Sequence, residues 1–85
     1  MKEYYTIYAW GDCPYCKEAK QALIENKTQF MYCLLDESPE LLQHLKQKHN
    51  WETVPMVVHS QINEAGHWVE EFIGGCSDLL LKFKK

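Results

Sequence analysis

Cys13 and Cys16 are separated by Pro14 and Tyr15. Thiols at this spacing can close a disulfide across one turn of a helix. The flanking residues supply that context. Tyr4 to Trp10 is aromatic and β-branched and predicts a strand, which Gly11-Asp12 interrupts. A helix is expected to open at Cys13-Pro14, because proline suits a first helical turn. At such a helix mouth several backbone N–H groups lack intrahelical partners. Together with the positive end of the helix dipole they favour a thiolate at Cys13. The thiolate is the attacking species in thiol–disulfide exchange. Cys16 lies one turn further in, on the apolar face, and is expected to be the more buried of the two. It can resolve a mixed disulfide by attacking the sulfur of Cys13. Pro14 stiffens the turn and removes an N–H that would be unpaired in any case.

Two other uses of such a pair compete with redox chemistry. A zinc half-site needs two further ligands, usually a second close pair. Cys33 and Cys76 are isolated, and of the histidines at 44, 49, 59 and 67 only His44 and His49 fall at a zinc-like spacing. No metal site is expected. A structural bridge needs an oxidising compartment. The segment Met1-Lys2-Glu3-Tyr4-Tyr5 begins no apolar leader, so a reducing, cytoplasmic setting is expected. A pair placed after a strand and before a helix is the context of a redox C-x-x-C. Cys33, inside a strand, is expected to be a buried small hydrophobe, and packing is the default role of Cys76.

The elements that must position this pair can be read along the rest of the chain. Cys16, Ala19, Ala22 and Leu23 form one helical face, with Lys17, Glu18, Lys20 and Gln21 opposite, and Asn26 is a plausible stop. Gln29 to Leu35 predicts a second strand, with Phe30, Tyr32 and Leu34 on one face. A helical crossover makes the first two strands parallel. Ser38-Pro39-Glu40 starts a second helix, lined by Leu41, Leu42, Leu45 and His49 and ended by Asn50. Val54 to Val58 predicts a third strand. Asn63-Glu64-Ala65-Gly66 carries turn chemistry, and His67 to Ile73 returns as an antiparallel fourth strand. After Gly74-Gly75, the positions Cys76, Leu79, Leu80 and Phe83 describe a last amphipathic helix. Lys82, Lys84 and Lys85 lie at its C-terminal end, where the dipole favours cations. His44, His49 and His67 are expected at the surface. The order β-α-β-α-β-β-α predicts an α/β fold. Its sheet is mixed and four-stranded, with helices on both faces, in one domain spanning 1–85.

Composition excludes several functions. With 85 residues, 46% of them hydrophobic, the chain can build one modest core without staples. Nine basic residues against twelve acidic ones leave a net charge of −3. That argues against nucleic acid as a partner, since displacing counterions from phosphates takes a basic excess. No apolar run approaches the ~20 residues that would span a bilayer, so no membrane partner is expected.

Three segments together resemble the glutaredoxin family. Cys13-Pro14-Tyr15-Cys16 matches the active site of its dithiol members, Thr53-Val54-Pro55 its T-V-P segment, and Gly74-Gly75-Cys76-Ser77-Asp78 its glycine-glycine segment with the acid that follows. Each is weak alone; in this order over 85 residues they are specific. The resemblance implies a thioredoxin-like fold and glutathione-dependent thiol–disulfide exchange, with glutathione as co-substrate. Cys13 would be the nucleophile and Cys16 the resolving thiol. Pro55 would be a cis-proline, leaving the backbone of Val54, after Thr53, to pair with the cysteine part of glutathione. Gly75, Cys76, Ser77 and Asp78 would hold the γ-glutamyl end, and Tyr15 would flank the groove. The implied partners are disulfide-containing or glutathionylated proteins, with ribonucleotide reductase as one candidate, and the implied state is a monomer.

The chain also departs from the family. Members often carry a basic residue three positions before the first cysteine, where Trp10 stands here. Trp10 either stacks on substrate at the rim or is a half-buried strand-end aromatic. Asp12 opposes a thiolate at Cys13; Lys17, one turn along, partly compensates. Lys46, Lys48 or His49 could serve the glycine carboxylate of glutathione. The hairpin from His59 to Val69 is longer than in small members. Three rivals remain: a redoxin served by thioredoxin reductase, a carrier in which Cys13 and glutathione hold an iron–sulfur cluster, and a binding module that kept the fold alone. Pro14 counts against the cluster carrier.

Overall fold

Seven elements appear in the expected order in the computed structural model, which describes residues 2–83. They are β1 (Glu3–Ala9), α1 (Pro14–Glu25), β2 (Phe30–Leu34), α2 (Pro39–His49), β3 (Met56–Ile62), β4 (Trp68–Gly74) and α3 (Cys76–Phe83). Lys84 and Lys85 lie outside the described residues.

The sheet runs β2-β1-β3-β4. β1 and β2 are parallel, because the helical crossover α1 carries the chain back to the same end of the sheet. β1 pairs antiparallel with β3, and β3 with β4. Asn63 closes the β3–β4 turn: its Oδ1 accepts hydrogen bonds from the N–H groups of Ala65 (2.9 Å) and His67 (3.0 Å). Gly66 takes a φ of 83° there, which an L side chain would strain.

The two faces of the sheet carry different helices. Alternate residues of β1, Tyr5, Ile7 and Ala9, point toward α1 and α3 and pack with Ala19, Leu23 and Leu79. Tyr8 points the other way and packs with Leu35, Leu45 and Met56 under α2. The expected apolar stripe of α1 is fully met, with Cys16, Ala19, Ala22 and Leu23 all buried. Asn50 ends α2 in the left-handed conformation, φ 52°.

Several details differ from the sequence reading. β3 starts at Met56, not Val54, and 51–55 form a loop. Pro55 has no N–H to give a strand ladder, so pairing begins beyond it, at Tyr8 opposite Met56. Leu34 shares a parity with Phe30 and Tyr32, yet it is 53% exposed, at the end of the edge strand β2. Leu41 and Leu80 are also exposed, each at the margin of its helix's buried face. Ser38 takes the N-cap position of α2, but its side chain makes no capping hydrogen bond. Cys33 is half-buried, because β2 is an edge strand. His49 is half-buried as well, since its ring stacks on Phe72 at 4.3 Å. No helix among the described residues is long and apolar enough to cross a membrane.

Candidate active site

Strand β1 ends at Ala9 and helix α1 begins at Pro14, so the turn between them sets the cysteines. Asp36, just past β2, anchors that turn: its two carboxylate oxygens accept the Gly11 N–H at 3.1 and 3.2 Å. Cys13 is the N-cap residue of α1, with extended backbone (φ −147°, ψ 102°), and Pro14 occupies the first helical turn. Cys13 and Cys16 are joined in a disulfide, their Cα atoms 5.2 Å apart. The Cys16 N–H donates to Cys13 Sγ at 3.2 Å. This is the unpaired amide expected at a helix mouth, aimed at sulfur, and it would stabilise a thiolate there. Cys16 is fully buried, whereas Cys13 keeps 7% of its surface at the margin of the same cluster. The expected order of burial therefore holds. Lys17 is exposed, and among the described residues its ammonium makes no ion pair.

A groove of 380 Å³ is lined by Tyr15, which stands between the two cysteines in sequence, and by Cys76, which packs in the same cluster as the disulfide, though neither Cys13 nor Cys16 lines it. Tyr15 forms one wall; Thr53, Val54 and Pro55 form another; Gly75, Cys76, Ser77 and Asp78 form the third. The residues of the three matched segments assigned to glutathione, Tyr15, Thr53, Val54, Pro55 and Gly75 to Asp78, thus line one groove, although the segments are far apart in the chain. The volume suits a small-molecule ligand. The Val54–Pro55 peptide bond is cis. Among the described residues, no backbone hydrogen bond engages Val54. Its N–H and C=O remain available to a ligand in extended conformation.

Asp78 shapes the third wall. Its Oδ2 accepts the Gly75 N–H at 3.0 Å and so caps the start of α3. The same oxygen would lie 2.5 Å from a Cβ at Gly74, whose φ is 120°. Position 74 is therefore closed to any larger residue on both counts. Cys76 packs in the cluster that holds the disulfide. Burial pushes its thiol pKa up, and the negative charge and hydrogen bond of Glu18 add to the shift. Packing is thus the role the surroundings of Cys76 support.

Trp51 is a groove residue that the sequence did not mark. Its ring meets Phe72 edge-on at 5.4 Å, and it would lie 3.6 Å from a Cβ at Gly75. Its Nε1 is buried with no hydrogen-bond partner among the described residues. A loop tryptophan has no periodicity to announce it; its place two residues before Thr53-Val54-Pro55 was the only available signal. A second pocket, of 280 Å³, adjoins the groove across Thr53 and Val54, which line both. Trp10, Lys46 and Glu52 complete it. Of the three residues proposed for the glycine carboxylate, only Lys46 lines it; Lys48 is exposed and His49 is engaged with Phe72.

A sequence model of the glutaredoxin family matches residues 5–62, more than half of the chain. The chain belongs to the glutaredoxin family. A curated relative, Glutaredoxin-1 of Rhizophagus irregularis, is 37% identical over 77 residues, covering 87% of this chain and 67% of the relative. Among solved structures, the dithiolic glutaredoxin of Trypanosoma brucei brucei superposes with a TM-score of 0.68 at 29% identity, covering 91% of this chain and 73% of that one. A buckwheat glutaredoxin solved in complex with glutathione superposes at 0.74 with 22% identity, covering 94% of this chain and 67% of its own. At that identity the likeness speaks to the fold, which is thioredoxin-like. As a glutaredoxin with a Cys13–Cys16 pair, this protein is a thiol–disulfide oxidoreductase and its disulfide is redox-active. Among the described residues, no group of three or more His, Cys, Asp or Glu side chains is placed to hold a metal ion.

Proposed function

We propose that this glutaredoxin uses glutathione to reduce glutathione mixed disulfides and protein disulfides in the cytoplasm. The observation that carries the reading is the groove that Tyr15 and Cys76 line. It gathers Tyr15, the free backbone of Val54, the α3 mouth and Asp78. Each suits one part of the ligand. Backbone N–H groups at the start of α3 suit the γ-glutamyl carboxylate, and Asp78 suits its ammonium. Val54 suits the cysteine backbone in the manner of an added strand.

The chemistry follows from the helix mouth. In the reduced protein the Cys13 thiolate attacks the glutathione sulfur of a mixed disulfide. The S–S bond breaks, the partner thiolate leaves, and Cys13 carries glutathione. A second glutathione thiolate then attacks that sulfur of glutathione and releases glutathione disulfide, returning Cys13 to the thiolate. With a protein disulfide, Cys16 instead attacks Cys13 and leaves the pair oxidised. Two glutathiones restore the dithiol. Substrates of this kind include any enzyme that ends its cycle with an exposed disulfide; ribonucleotide reductase is one such candidate.

The test is a glutathione-coupled disulfide reduction assay on wild type, Cys13→Ser and Cys16→Ser. Cys13→Ser should lose all turnover. Cys16→Ser should keep activity on glutathione mixed disulfides and lose it on protein disulfides. Full turnover by Cys13→Ser, or turnover of the wild type by thioredoxin reductase but not by glutathione, would overturn the reading.

A further inference from the structure

The groove that the proposed reading fills with glutathione shares the Thr53–Val54 segment with the second pocket, walled by Trp10, Lys46 and Glu52. A peptide that pairs its disulfide cysteine with Val54 has a fixed direction. Its N-terminal side runs toward the α3 mouth and Asp78. Its next residue therefore faces the second pocket. In glutathione that residue is glycine, which has no side chain to place there.

The walls of this pocket indicate what it accepts. Lys46 and Glu52 carry opposite charges, so the pocket has no net sign with which to select an acid or a base. Trp10 lines it with an indole, and the residue is 42% exposed to solvent. An exposed indole is a stacking platform for an aromatic or branched apolar group. Covering it would also remove apolar area from water.

We infer that Trp10 is a specificity residue: with Lys46 and Glu52 it forms a subsite for the residue following the disulfide cysteine of a peptide substrate, and it favours a large apolar side chain there. The inference rests on the reading that Val54 pairs with the substrate cysteine. It makes the preferred substrate class a disulfide cysteine followed by an aromatic or large aliphatic residue. Glutathione, with glycine at that position, offers this subsite no side chain.

The experiment uses the full chain, reduced at Cys13 and Cys16, and a series of symmetrical disulfides of γ-glutamyl-cysteinyl peptides ending in glycine, phenylalanine or aspartate. Each reaction is balanced: the protein dithiol supplies two electrons and two protons, the peptide disulfide becomes two thiols, and the protein ends with its Cys13–Cys16 disulfide. The second-order rate constant for peptide thiol release is read for each peptide. The phenylalanine peptide should react roughly fivefold faster than the glycine peptide, the scale of one aromatic stacking contact. The aspartate peptide should match the glycine peptide. Trp10→Ala should bring the phenylalanine-to-glycine ratio close to one, and Trp10→Phe should restore most of it. Trp10→Lys gives the same reading as Trp10→Ala should that variant not fold. Equal rates for the two peptides in the wild type, or a preference that survives loss of the ring at position 10, would overturn the inference. Failure of the underlying reading looks different: a disulfide of cysteinyl-glycine, lacking the γ-glutamyl group, would then react as fast as glutathione disulfide.

Discussion

The two faces of the sheet are packed to different standards. On the α1–α3 face, Tyr5, Ile7, Ala9 and Val57 meet Ala19, Leu23 and Leu79 in one closed cluster that also contains Cys13, Cys16 and Cys76. On the α2 face the apolar cluster is smaller, with Leu35, Leu45 and Met56 enclosed and Tyr8, Cys33, Leu42 and Phe72 half-buried around them, while Thr6, Val58 and Ser60 are buried further along the same side of the sheet. The disulfide sits on the dense face, and the groove near it takes walls from both faces, Tyr15 and the α3 start from one and the loop after α2 from the other. Disulfide exchange needs two sulfurs held one turn apart with an amide aimed at one of them, and close packing fixes such geometry. Recognition of varied disulfides tolerates a softer wall. Trp51 and Val54 supply that wall from the loop after α2, and Val54 packs against both clusters. The groove is therefore the seam between the two layers, with one rigid side and one adaptable side.

Unequal packing predicts unequal penalties. Leu23→Ala, which opens a cavity at a fully buried site on the dense face, should cost about 4 kcal/mol of unfolding free energy, near the upper part of the range for such truncations. Leu45→Ala should cost about 2 kcal/mol, because a partly open layer can collapse or admit water. Urea unfolding of both variants measures the pair. Equal penalties would mean that the two faces are equally well packed and would remove the distinction drawn above. Next in size is the turn that carries Cys13. Asp36→Ala removes both acceptors of the Gly11 N–H, and about 1 kcal/mol is expected for an exposed bond of this kind. Its sharper readout is kinetic. Alkylation of reduced Cys13 should slow in Asp36→Ala if the turn holds the helix mouth in place, while the same measurement in Leu45→Ala should match the wild type.

The dense face was almost entirely legible in the sequence, and the loose face was not. Cys16, Ala19, Ala22 and Leu23 repeat at helical spacing, and that period is set by the same burial the fold realises. Cys13-Pro14, Thr53-Val54-Pro55 and Gly74 to Asp78 were readable because each is a local arrangement of special backbone: a helix mouth, a proline turn, a capped glycine pair. What escaped depends on contacts between distant residues. Asp36 reaches Gly11 across 25 positions, and no local pattern records that. Trp51 lies in a loop without periodicity. Leu34 and Leu41 follow the correct alternation or stripe yet end up exposed, because periodicity gives the direction of a side chain and not the extent of its cover. His49 lies on the leucine face of α2, and its imidazole is flat enough to stack on Phe72, so it is half-buried where the surface is expected.

That stack gives the smallest and most specific contrast between the faces. Burial against the α2 face pushes the His49 pKa below its ordinary value of 6.5; the positive charges of Lys48 and His44 push the same way, and Glu70 opposes them. The folded protein therefore binds the proton at His49 less readily than the unfolded chain does. Above about pH 6.5 both states are neutral and the stack contributes in full. As pH falls through 6.5, the unfolded chain takes up the proton first and stability declines until the folded pKa is passed. His49→Phe keeps an aromatic ring against Phe72 and has no proton to gain. Its urea midpoint should thus be flatter than that of the wild type between about pH 7.5 and 5.5, a window above the ordinary carboxylate range. The same slope in both proteins would place the acid sensitivity elsewhere and leave the α2 face no more pH-responsive than the face that holds the disulfide.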